Sequence, residues 1–551
     1  MKKRTVLTSL LLLGCLSLFA NGNAEKTTAA TAPVQKNNTL NVMIEVEVES
    51  LDPQIATDGT SFEVIADYTD GLKQMAADGS VINALCADEQ ISPDGLTYTF
   101  KIRDDAYWSN GDPVTADDFV FGWQRAVDPD TASEYSYMMS DIGQLKNAAA
   151  IEAGKMSVDQ LGVKAIDAKT LQVQLEVPVS YFDECLYFPT YYPVNRAFFA
   201  KCGDTFATSA DTVLSNGAYI LSEYEPAATS FKLIKNPKYY NAGKVKLDGL
   251  NYQVIKDSQQ ALMSYQNGDL DIIQLSGDQV DQVKDDPEFK SVGAGYLWYI
   301  SPNIAKSTDL ANLNLRMAMT FALDRETLAK SVIKDGSTAA FAAVPTQLAT
   351  NSKGQDFTPN QTEFSDVCDF DTTKALTYYN LAKKELNKDS FKFEMIVDDT
   401  EIQQNVAAVL KEELEQRLPG LEIDLRIEPK KQRVQDMQDG TYTLGLTRWG
   451  PDYADPMTYL GMWVTGNDNN YGLWSDAQYD SLIAECTTGD LCTDPVGRWD
   501  ALKKAETIVM KQAVIFPLYQ QANADMIKSN VSGIEFHPIA LNRVYKNTAK
   551  K

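Results

Sequence analysis

The sequence predicts an α/β fold, and two observations support this prediction. Residues 97–103 (TYTFKIR) and 171–177 (LQVQLEV) carry apolar side chains at every second position, which is the spacing of half-buried strands. Residues 115–127 (TADDFVFGWQRAV) instead repeat apolar side chains at helical spacing, and Asp118 follows Thr115 at the distance of a weak capping box. Because 44% of the 551 residues are hydrophobic, the chain can bury a packed core.

A helix and a strand alternate again in the second half of the chain. Residues 401–417 carry an apolar stripe, and Pro419 and Gly420 end the predicted helix. Residues 421–427 (LEIDLRI) then alternate as a strand. The α/β layering is therefore predicted on both sides of the middle of the chain.

The N-terminus resembles an export signal over residues 1–24. A basic MKKR start precedes an apolar run over residues 5–20 that is short for a spanning helix. The stretch from Leu12 to Cys15 resembles a lipobox, which would place a lipid on Cys15. The alternative is simple cleavage after Ala20 or Ala24, and the apolar residues after Cys15 favour it. Residues 25–39 are predicted to be a flexible tether.

The charge composition of the chain disfavours some classes of binding partner. Acidic residues outnumber basic ones by 76 to 50, which gives a net charge of −26. Nucleic acid is therefore a poor partner, because phosphate binding needs a basic surface. No second long apolar run follows the signal, so the mature chain is predicted to lie outside the cytoplasm without spanning the membrane.

Six cysteines follow the signal, and an exported protein can pair them in disulfides. Cys185 with Cys202 and Cys486 with Cys492 are the candidate pairs, because each pair is close in sequence. The alternative is that several are buried free thiols. Their spacings do not match a zinc site, and no metal is predicted.

Signals of catalysis are weak. The chain has one histidine, His537, and its apolar neighbours in IEFHPIA indicate a packed or rim position. We find no motif of a serine hydrolase, a zinc protease, a P-loop or an EF-hand. Carboxylates are too numerous for any pair to indicate a glycosidase. No catalytic residue and no cofactor is predicted.

Two aspartates, Asp452 and Asp455, lie within LTRWGPDYADPMTYL at residues 446–460. A carboxylate among aromatic and turn-forming residues is costly to bury without a positive partner. That partner could be a metal, a side chain of this protein or a ligand, and Asp452 could instead cap a local turn. Asp455 is predicted to be the turn or cap residue, because Pro456 suits the first turn of a helix.

Several blocks, in order, resemble one family. AYWSNGDPVTADDFVFGWQRAVDPDTASEY at 106–135 is the most specific block, and WGPDYADPMTYL at 449–460 resembles a W-x-x-D-Y-x-x-P ligand motif. SNGAYIL at 215–221, NPKYYN at 236–241 and the helix at 315–332 also match. From about residue 40 to about residue 547, the chain resembles the family-5 extracytoplasmic solute-binding proteins of ABC importers, in their oligopeptide-binding branch.

The resemblance implies an α/β fold of the two-lobed periplasmic-binding-protein type with an extra small α/β domain. The lobes would close over a ligand by hinge motion. The implied boundaries are 40–70, 195–296 and 516–551 for lobe I, 71–194 for the small domain, and 297–515 for lobe II.

The resemblance also implies ligand-binding residues. Asp452 would take the free α-amino group of a peptide, and backbone groups of Trp449 and Gly450 would pair with the peptide main chain. Further candidates, each with a plainer structural alternative as a packed aromatic or a turn former, are Tyr135, Asp58 or Thr60, Asn469 or Asn470, and Tyr519.

Gly450 and Arg448 flank Trp449 in the ligand motif. Gly450 stands where close relatives often have a cysteine, so a disulfide at that point is not expected and the loop is predicted to be more mobile or differently shaped. Arg448 is either a partner for a ligand carboxylate or an external charge.

The expected function is capture of oligopeptides and delivery to an ABC permease, by a monomer that is extracytoplasmic or periplasmic and not an enzyme. Within the same fold the ligand could be a dipeptide, a murein peptide, a nickel chelate or an oligosaccharide. The lone histidine disfavours the chelate. A hydrolase outside the cytoplasm is the alternative from another class.

Overall fold

The computed structural model describes residues 38–179, 181–359 and 364–551. The predicted export signal, Cys15 and nearly all of the tether lie outside these residues. In chain order, the strands are β1 Thr39–Ile44, β2 Lys73–Met75, β3 Val81–Asn83, β4 Cys86–Ile91, β5 Thr97–Ile102, β6 Val163–Asp167, β7 Thr170–Gln174, β8 Tyr219–Glu223, β9 Ser230–Lys235, β10 Gly249–Val254, β11 Ile272–Leu275, β12 Phe289–Pro302, β13 Thr338–Ala339, β14 Phe391–Asp398, β15 Leu421–Glu428, β16 Leu444–Trp449, β17 Phe516–Ile527, β18 Val531–Ser532, β19 Glu535–Phe536, β20 Arg543–Val544 and β21 Ala549–Lys550.

The α-helices are α1 Gly59–Tyr68, α2 Ala116–Val127, α3 Ala148–Glu152, α4 Phe182–Cys185, α5 Arg196–Cys202, α6 Ser258–Asn267, α7 Asp278–Val283, α8 Leu313–Phe321, α9 Arg325–Thr327, α10 Ser365–Cys368, α11 Thr372–Leu386, α12 Glu401–Arg417, α13 Lys430–Gln438, α14 Met457–Leu460, α15 Ala477–Thr487 and α16 Pro495–Lys511. Two π-helical segments, Met138–Ile142 and Leu328–Ile333, interrupt the regular pattern. Among the described residues no helix is both long and apolar enough to cross a bilayer.

The main sheet has two halves that meet at two long strands. Its strand order is β15-β14-β16-β12-β17-β11-β1-β10-β9-β8, and β13 pairs with β17. The neighbours β12 and β17 run antiparallel and are 14 and 12 residues long. They connect the half formed by β14, β15 and β16 to the half that contains β1 and β10. The register of β12 against β17 shifts between Gly293 and Leu297, which is close to the cavity described below.

A second sheet, in the order β4-β5-β7-β6, packs with α2. The buried face of α2 is the predicted one, since Phe119, Trp123 and Ala126 are all fully buried. The Thr115 N–H donates to Asp118 Oδ2 at 2.8 Å, as the capping box predicts. All four strands fall within the range 71–194 predicted for the small domain. The predicted domain boundaries themselves stay a prediction.

The individual elements agree closely with the sequence patterns. The strand predicted at 97–103 is β5, the helix predicted at 401–417 is α12, and the strand predicted at 421–427 is β15. The strand predicted at 171–177 ends earlier, at Gln174. Since β15 pairs in parallel with β14 and α12 connects them, this part is a β-α-β unit of an α/β layer.

The predicted disulfides are absent, because all six described cysteines are free thiols. Cys185 is buried, and its thiol donates to the Tyr181 carbonyl at 3.6 Å, while Cys202 lies half-buried at the end of α5. Cys486 is buried with its thiol towards the Arg498 carbonyl. Proximity in sequence does not bring these thiols together, since each is held by its own local packing.

Candidate ligand-binding site

A cavity lies where the two halves of the main sheet meet. The end of β16 forms one wall, and the start of α1 forms another. Tyr296 from β12 and two basic residues of α13, Lys430 and Arg433, contribute side chains. The cavity therefore draws on segments that are far apart in sequence.

Cross-cavity contacts hold the surrounding segments together. Lys430 Nζ lies 3.2 Å from Asp58 Oδ1. Lys256 Nζ lies 3.0 Å from Asp399 Oδ2, and the Gln438 side chain donates to Glu134. In each pair, one residue precedes β12 and the other follows β14. These contacts bridge the two parts of the chain on either side of the cavity.

The turn after β16 carries Asp452 into the cavity wall. Pro451 has no N–H to continue a strand ladder, and β16 ends at Trp449. Asp452 is only 5% exposed. Its N–H donates to Thr458 Oγ1 at 3.0 Å, and Tyr137 OH donates to Asp452 Oδ2 at the same distance. The backbone and the carboxylate are thus both held in place.

No positive side chain neutralises Asp452. Among the described residues it forms no ion pair with a lysine, arginine or histidine. Burial raises the pKa of its carboxyl to about 8, and the hydrogen bond from Tyr137 offsets only part of that rise. A buried carboxyl with a strongly raised pKa in a cavity wall is a candidate functional group.

Asp455 has a partner of its own. The Arg498 guanidinium donates to both of its carboxylate oxygens, at 2.7 and 2.8 Å. Asp455 Oδ1 also accepts the N–H of Met457 at 2.9 Å, at the start of α14. The prediction that Asp455 is a turn or cap residue is confirmed. The ion pair with Arg498 was not predicted.

Tyr135 and Trp449 form an aromatic wall next to Asp452. Both are buried, both line the cavity, and their rings stack at a centroid distance of 6.4 Å. Among the described residues the Trp449 indole N–H has no hydrogen-bond partner. An unpartnered buried donor in a cavity wall is a group that a ligand can satisfy.

The edge of β16 is open along the cavity. Within the described chain, β14 pairs with β16 only at Leu444 and Gly445. Beyond Gly445, β16 pairs with β12 alone, as far as Trp449. An extended chain can add to such an edge through main-chain hydrogen bonds.

Gly450 is required by a close approach of Tyr296. A Cβ at position 450 would lie 2.4 Å from Tyr296 Cε1. The ring therefore occupies the space that a cysteine side chain would need. This contact gives the turn a shape that favours glycine at position 450.

Asp58 lies in the cavity wall but is already engaged. Its Oδ1 accepts the N–H groups of Thr60 and Ser61 at the start of α1 and lies 3.2 Å from Lys430. Thr60 is not part of the cavity lining. Of the two alternatives in this loop, only Asp58 is brought to the cavity.

The two candidate asparagines, Asn469 and Asn470, have different surroundings. Asn469 lines the cavity. Asn470 is buried, and its amide donates to the carbonyls of Val464 and Trp474, so it is a turn-forming residue. Tyr519 is buried in an adjoining chamber, where it stacks on Trp298 at 5.8 Å.

Several residues of the site were not predicted from the sequence, and Tyr137 and Tyr296 are the two that contact its predicted residues. Tyr137 is the side chain that contacts Asp452, and its position two residues after Tyr135 was the available signal. Tyr296 gave no signal, because its role depends on its approach to Gly450.

Arg448 lies between the cavity and the adjoining chamber. Its guanidinium lies 4.1 Å from the centroid of the Tyr296 ring and donates to Gln521 Oε1 at 2.7 Å. Among the described residues it forms no ion pair with a carboxylate. Among the described residues, the cavity wall thus contains a carboxyl, Asp452, and a guanidinium, Arg448, that form no ion pair with each other or with another side chain.

The sequence profile of the family described as "Bacterial extracellular solute-binding proteins, family 5 Middle" matches residues 80–471, which is more than half of the chain. The chain belongs to family 5 of the bacterial extracellular solute-binding proteins. The predicted resemblance is confirmed.

Relatives of this family 5 protein are similar along nearly their whole length. It is 34% identical over 523 residues to the "Dipeptide-binding protein" of Lactococcus lactis, covering 92% of this chain and 93% of that one. A crystal structure of an oligopeptide ABC transporter substrate-binding domain from Bacillus anthracis has a TM-score of 0.88 at 34% identity, covering 93% of this chain and 98% of that one.

"Listeria monocytogenes OppA bound to peptide" is similar as well, with a TM-score of 0.87 at 33% identity, covering 94% of this chain and 99% of that one. These likenesses confirm the two-lobed α/β fold predicted for the family 5 protein.

Proposed function

We propose that this family 5 protein captures peptides between its lobes and delivers them to an ABC permease. The observation that carries the proposal is Asp452, a buried carboxylate in the cavity wall without an internal cation. A peptide α-ammonium supplies one positive charge and three donors, so it satisfies this carboxylate with charge-assisted hydrogen bonds.

The open edge of β16 supports a peptide rather than a simple amine. Main-chain groups of a bound peptide would add to this edge as an extra strand, which is independent of the peptide's sequence. Trp449 and Gly450 lie at the end of that edge. Tyr135 and Asn469 would line the bound chain, and Asp58 would hold Lys430 in place.

Arg448 supports a ligand that also carries a carboxylate. A peptide with free ends is a zwitterion, and the cavity offers Asp452 for one charge and Arg448 for the other. The names of similar proteins, a dipeptide-binding protein and an OppA bound to peptide, agree with this ligand class. A murein peptide has the same chemistry, whereas an oligosaccharide would leave both charges unpaired.

The remaining parts of the proposal follow from this role. The protein acts as a monomer outside the cytoplasm, in the periplasm or attached to a membrane by a lipid on Cys15, and its partners are the ligand and the permease subunits. No bond is made or broken. A hydrolase would release peptide fragments, whereas a binding protein retains the intact peptide in stoichiometric amount.

The amine contact can be tested by calorimetry with one peptide in free and N-acetylated forms. We expect acetylation, and the substitution Asp452→Asn, each to weaken binding by about 2–5 kcal/mol, because either change leaves a buried group without its charged partner. The exposed Asp211 provides the matched control, since Asp211→Asn removes a carboxylate of the same size far from the cavity lining.

Equal affinity for the free and acetylated peptides would show that another group anchors the ligand. If the Asp211→Asn variant bound both the free and the acetylated peptide weakly, the loss of affinity in Asp452→Asn would be a general effect of charge. Mass spectrometry of the purified protein, searching for retained intact peptides, tests the ligand class independently.

A further inference from the structure

A hairpin near the C-terminus reaches the turn that carries Asp452. Strands β19 and β20 pair antiparallel, and residues 537–542 connect them. At the tip of this loop, the Ala540 N–H donates to the Pro451 carbonyl at 2.7 Å. Pro451 is the residue directly before Asp452. The loop therefore holds the main chain at the residue next to the Asp452 carboxyl.

The tip of the loop has a backbone conformation that few residues adopt. The Leu541 N–H donates to the Ile539 carbonyl at 2.7 Å, which closes a three-residue turn. Ala540, at the centre of this turn, has a φ of +57°, in the left-handed region that favours glycine. Such a turn is rare and strained, and it persists only where the surrounding structure holds it. Neighbouring groups must therefore keep the loop in this shape.

Asn542 is a side chain that holds the loop. Its amide donates to the His537 carbonyl at the other end of the loop and to the Ala294 carbonyl of β12, each at 2.9 Å. Its N–H donates to Glu63 Oε1 of α1 at 3.1 Å. Both β12 and α1 contribute to the cavity wall. Asn542 accordingly joins the loop to two elements that border the cavity, and its amide nitrogen is engaged by main-chain carbonyls.

Strand β12 has an irregular segment against which the loop packs. Its register against β17 shifts between Gly293 and Leu297. Gly295 lies within this segment with a φ of +74°, and a Cβ at this position would overlap the Pro538 carbonyl oxygen. Any side chain at position 295 would therefore displace the loop. The close approach shows that the loop and the irregular segment of β12 are fitted to each other.

We propose that Asn542 is a positioning residue for Asp452. It braces the 537–542 loop, so that Ala540 fixes the Pro451 carbonyl and, through it, the direction of the Asp452 carboxyl. The inference rests on the proposed function, since it requires the ligand's α-ammonium to lie on Asp452. The brace matters because a charge-assisted hydrogen bond is strong only at a short distance and with good alignment.

A comparison of free and N-acetylated peptides tests the role of Asn542. We expect Asn542→Ala to weaken binding of a free-amine peptide by at least about tenfold and binding of its N-acetylated form by less than about threefold, because acetylation has already removed the ammonium that Asp452 meets. Titration calorimetry measures both affinities, and its stoichiometry reports the fraction of folded protein. A similar loss for both peptides, or no loss for either, would overturn the proposal.

Asn547→Ala is the matched control. The Asn547 amide donates to Glu535 Oε1 at 2.7 Å across the base of the same hairpin, and Asn547 is exposed and outside the cavity lining. We expect this variant to change the affinity for either peptide by less than about threefold. If it weakened binding of the free-amine peptide as much as Asn542→Ala, any loosening of the hairpin would suffice and the assignment to Asn542 would fail.

Hydrogen exchange of the wild-type protein tests the brace without a variant. Because coupling between two contacts is reciprocal, an ammonium held on Asp452 also favours the hydrogen bond from Ala540 to Pro451. We expect residues 537–542, followed by mass spectrometry, to exchange at least about tenfold more slowly with saturating free-amine peptide than with saturating N-acetylated peptide. Equal exchange in the two complexes would overturn the proposal.

The outcomes separate this inference from the proposed function. If acetylation weakens binding to the wild type but Asn542→Ala affects the two peptides alike, the positioning role fails and the amine site stands. If acetylation leaves the wild-type affinity unchanged, the amine contact on Asp452 fails. If neither peptide binds to the wild type, the proposed function itself fails.

Discussion

Asp452 and Asp455 are three residues apart, yet they differ in the source of positive charge available to them. Asp455 is held by both arms of Arg498 from α16. Asp452 receives a hydrogen bond from the neutral Tyr137 and lies in the cavity wall. The internally paired carboxylate serves the fold, whereas the carboxyl without an ion-pair partner is the one that we propose meets a ligand.

The difference arises from packing on either side of the turn. Arg498 is fixed opposite Asp455, since its Nε also donates to the Cys486 carbonyl at 3.2 Å and its guanidinium lies over the Tyr181 ring. On the cavity side, aromatic residues surround Asp452, and the basic residues Lys430 and Arg433 are paired with Asp58 and Asp398. Arg448, the other described cation of the cavity wall, lies over the Tyr296 ring and donates to Gln521 instead of to Asp452.

The largest expected effect is on stability, and it comes from Asp455, the aspartate that is paired with Arg498. Asp455→Ala leaves the Arg498 guanidinium largely buried without its carboxylate, and we expect it to lower the free energy of unfolding by about 3–5 kcal/mol. Chemical denaturation followed by fluorescence measures this. Peptide affinity of the folded fraction should change much less.

The double variant Asp455→Leu with Arg498→Met sharpens this result. Replacing both charges by apolar groups removes the unpaired charge, so we expect it to recover most of the lost stability. A single variant Asp455→Ala as stable as the wild type would contradict the view that this aspartate serves the fold.

The next largest expected effect is a pH dependence that arises from Asp452, the aspartate without an ion-pair partner among the described residues. The pKa of the Asp452 carboxyl is about 8 in the closed cavity and about 3.8 when it is hydrated. Between these values the closed form holds a proton that a hydrated carboxyl has lost. Below about pH 4 the protonated Asp452 carboxyl therefore does not oppose closure of the lobes. As pH rises towards 8, its burial opposes closure increasingly.

The expected change is up to about 1.4 kcal/mol per pH unit in favour of an open ligand-free form. Small-angle scattering should show the radius of gyration increasing between pH 5 and pH 8. Burial also raises the pKa of Glu49, in the same cavity wall, to about 7. Comparing the wild type with Asp452→Asn isolates the contribution of Asp452. An identical pH profile for the wild type and the variant would contradict this prediction.

The smallest expected effect is that of Tyr137→Phe. The variant removes the hydrogen bond from the Tyr137 hydroxyl to the Asp452 carboxylate and keeps the ring in place. We expect peptide affinity to fall by about 1 kcal/mol, or roughly fivefold, because the hydroxyl orients a carboxylate that still meets the ammonium. Tyr181→Phe is the matched control, since Tyr181 faces Asp455 and Arg498 instead.

A loss as large as that of Asp452→Asn would instead make the tyrosine hydroxyl the principal contact of the ligand. Titration calorimetry of the two tyrosine variants with one free-amine peptide distinguishes these outcomes.

Local patterns predicted the regular elements well. Helix α12 and strand β15 have almost the predicted bounds, because apolar periodicity and the Pro-Gly stop act over a few neighbouring residues. The role of Asp455 as a cap followed from Pro456 in the same way. Predictions of contact between distant residues were less successful. Cys185 and Cys202 are separate free thiols, and Asn470 holds its own loop.

The sequence by itself determined the α/β layering, the family and the turn that contains Asp452, since these depend on side-chain periodicity and short motifs. Only the tertiary structure decided which aspartate is neutralised, because Arg498 and Tyr137 come from segments 43 and 315 residues away. It also decided that Gly450 is needed under Tyr296. The physical reason is that charge pairing and cavity shape depend on distances in space, which a residue's neighbours in sequence do not set.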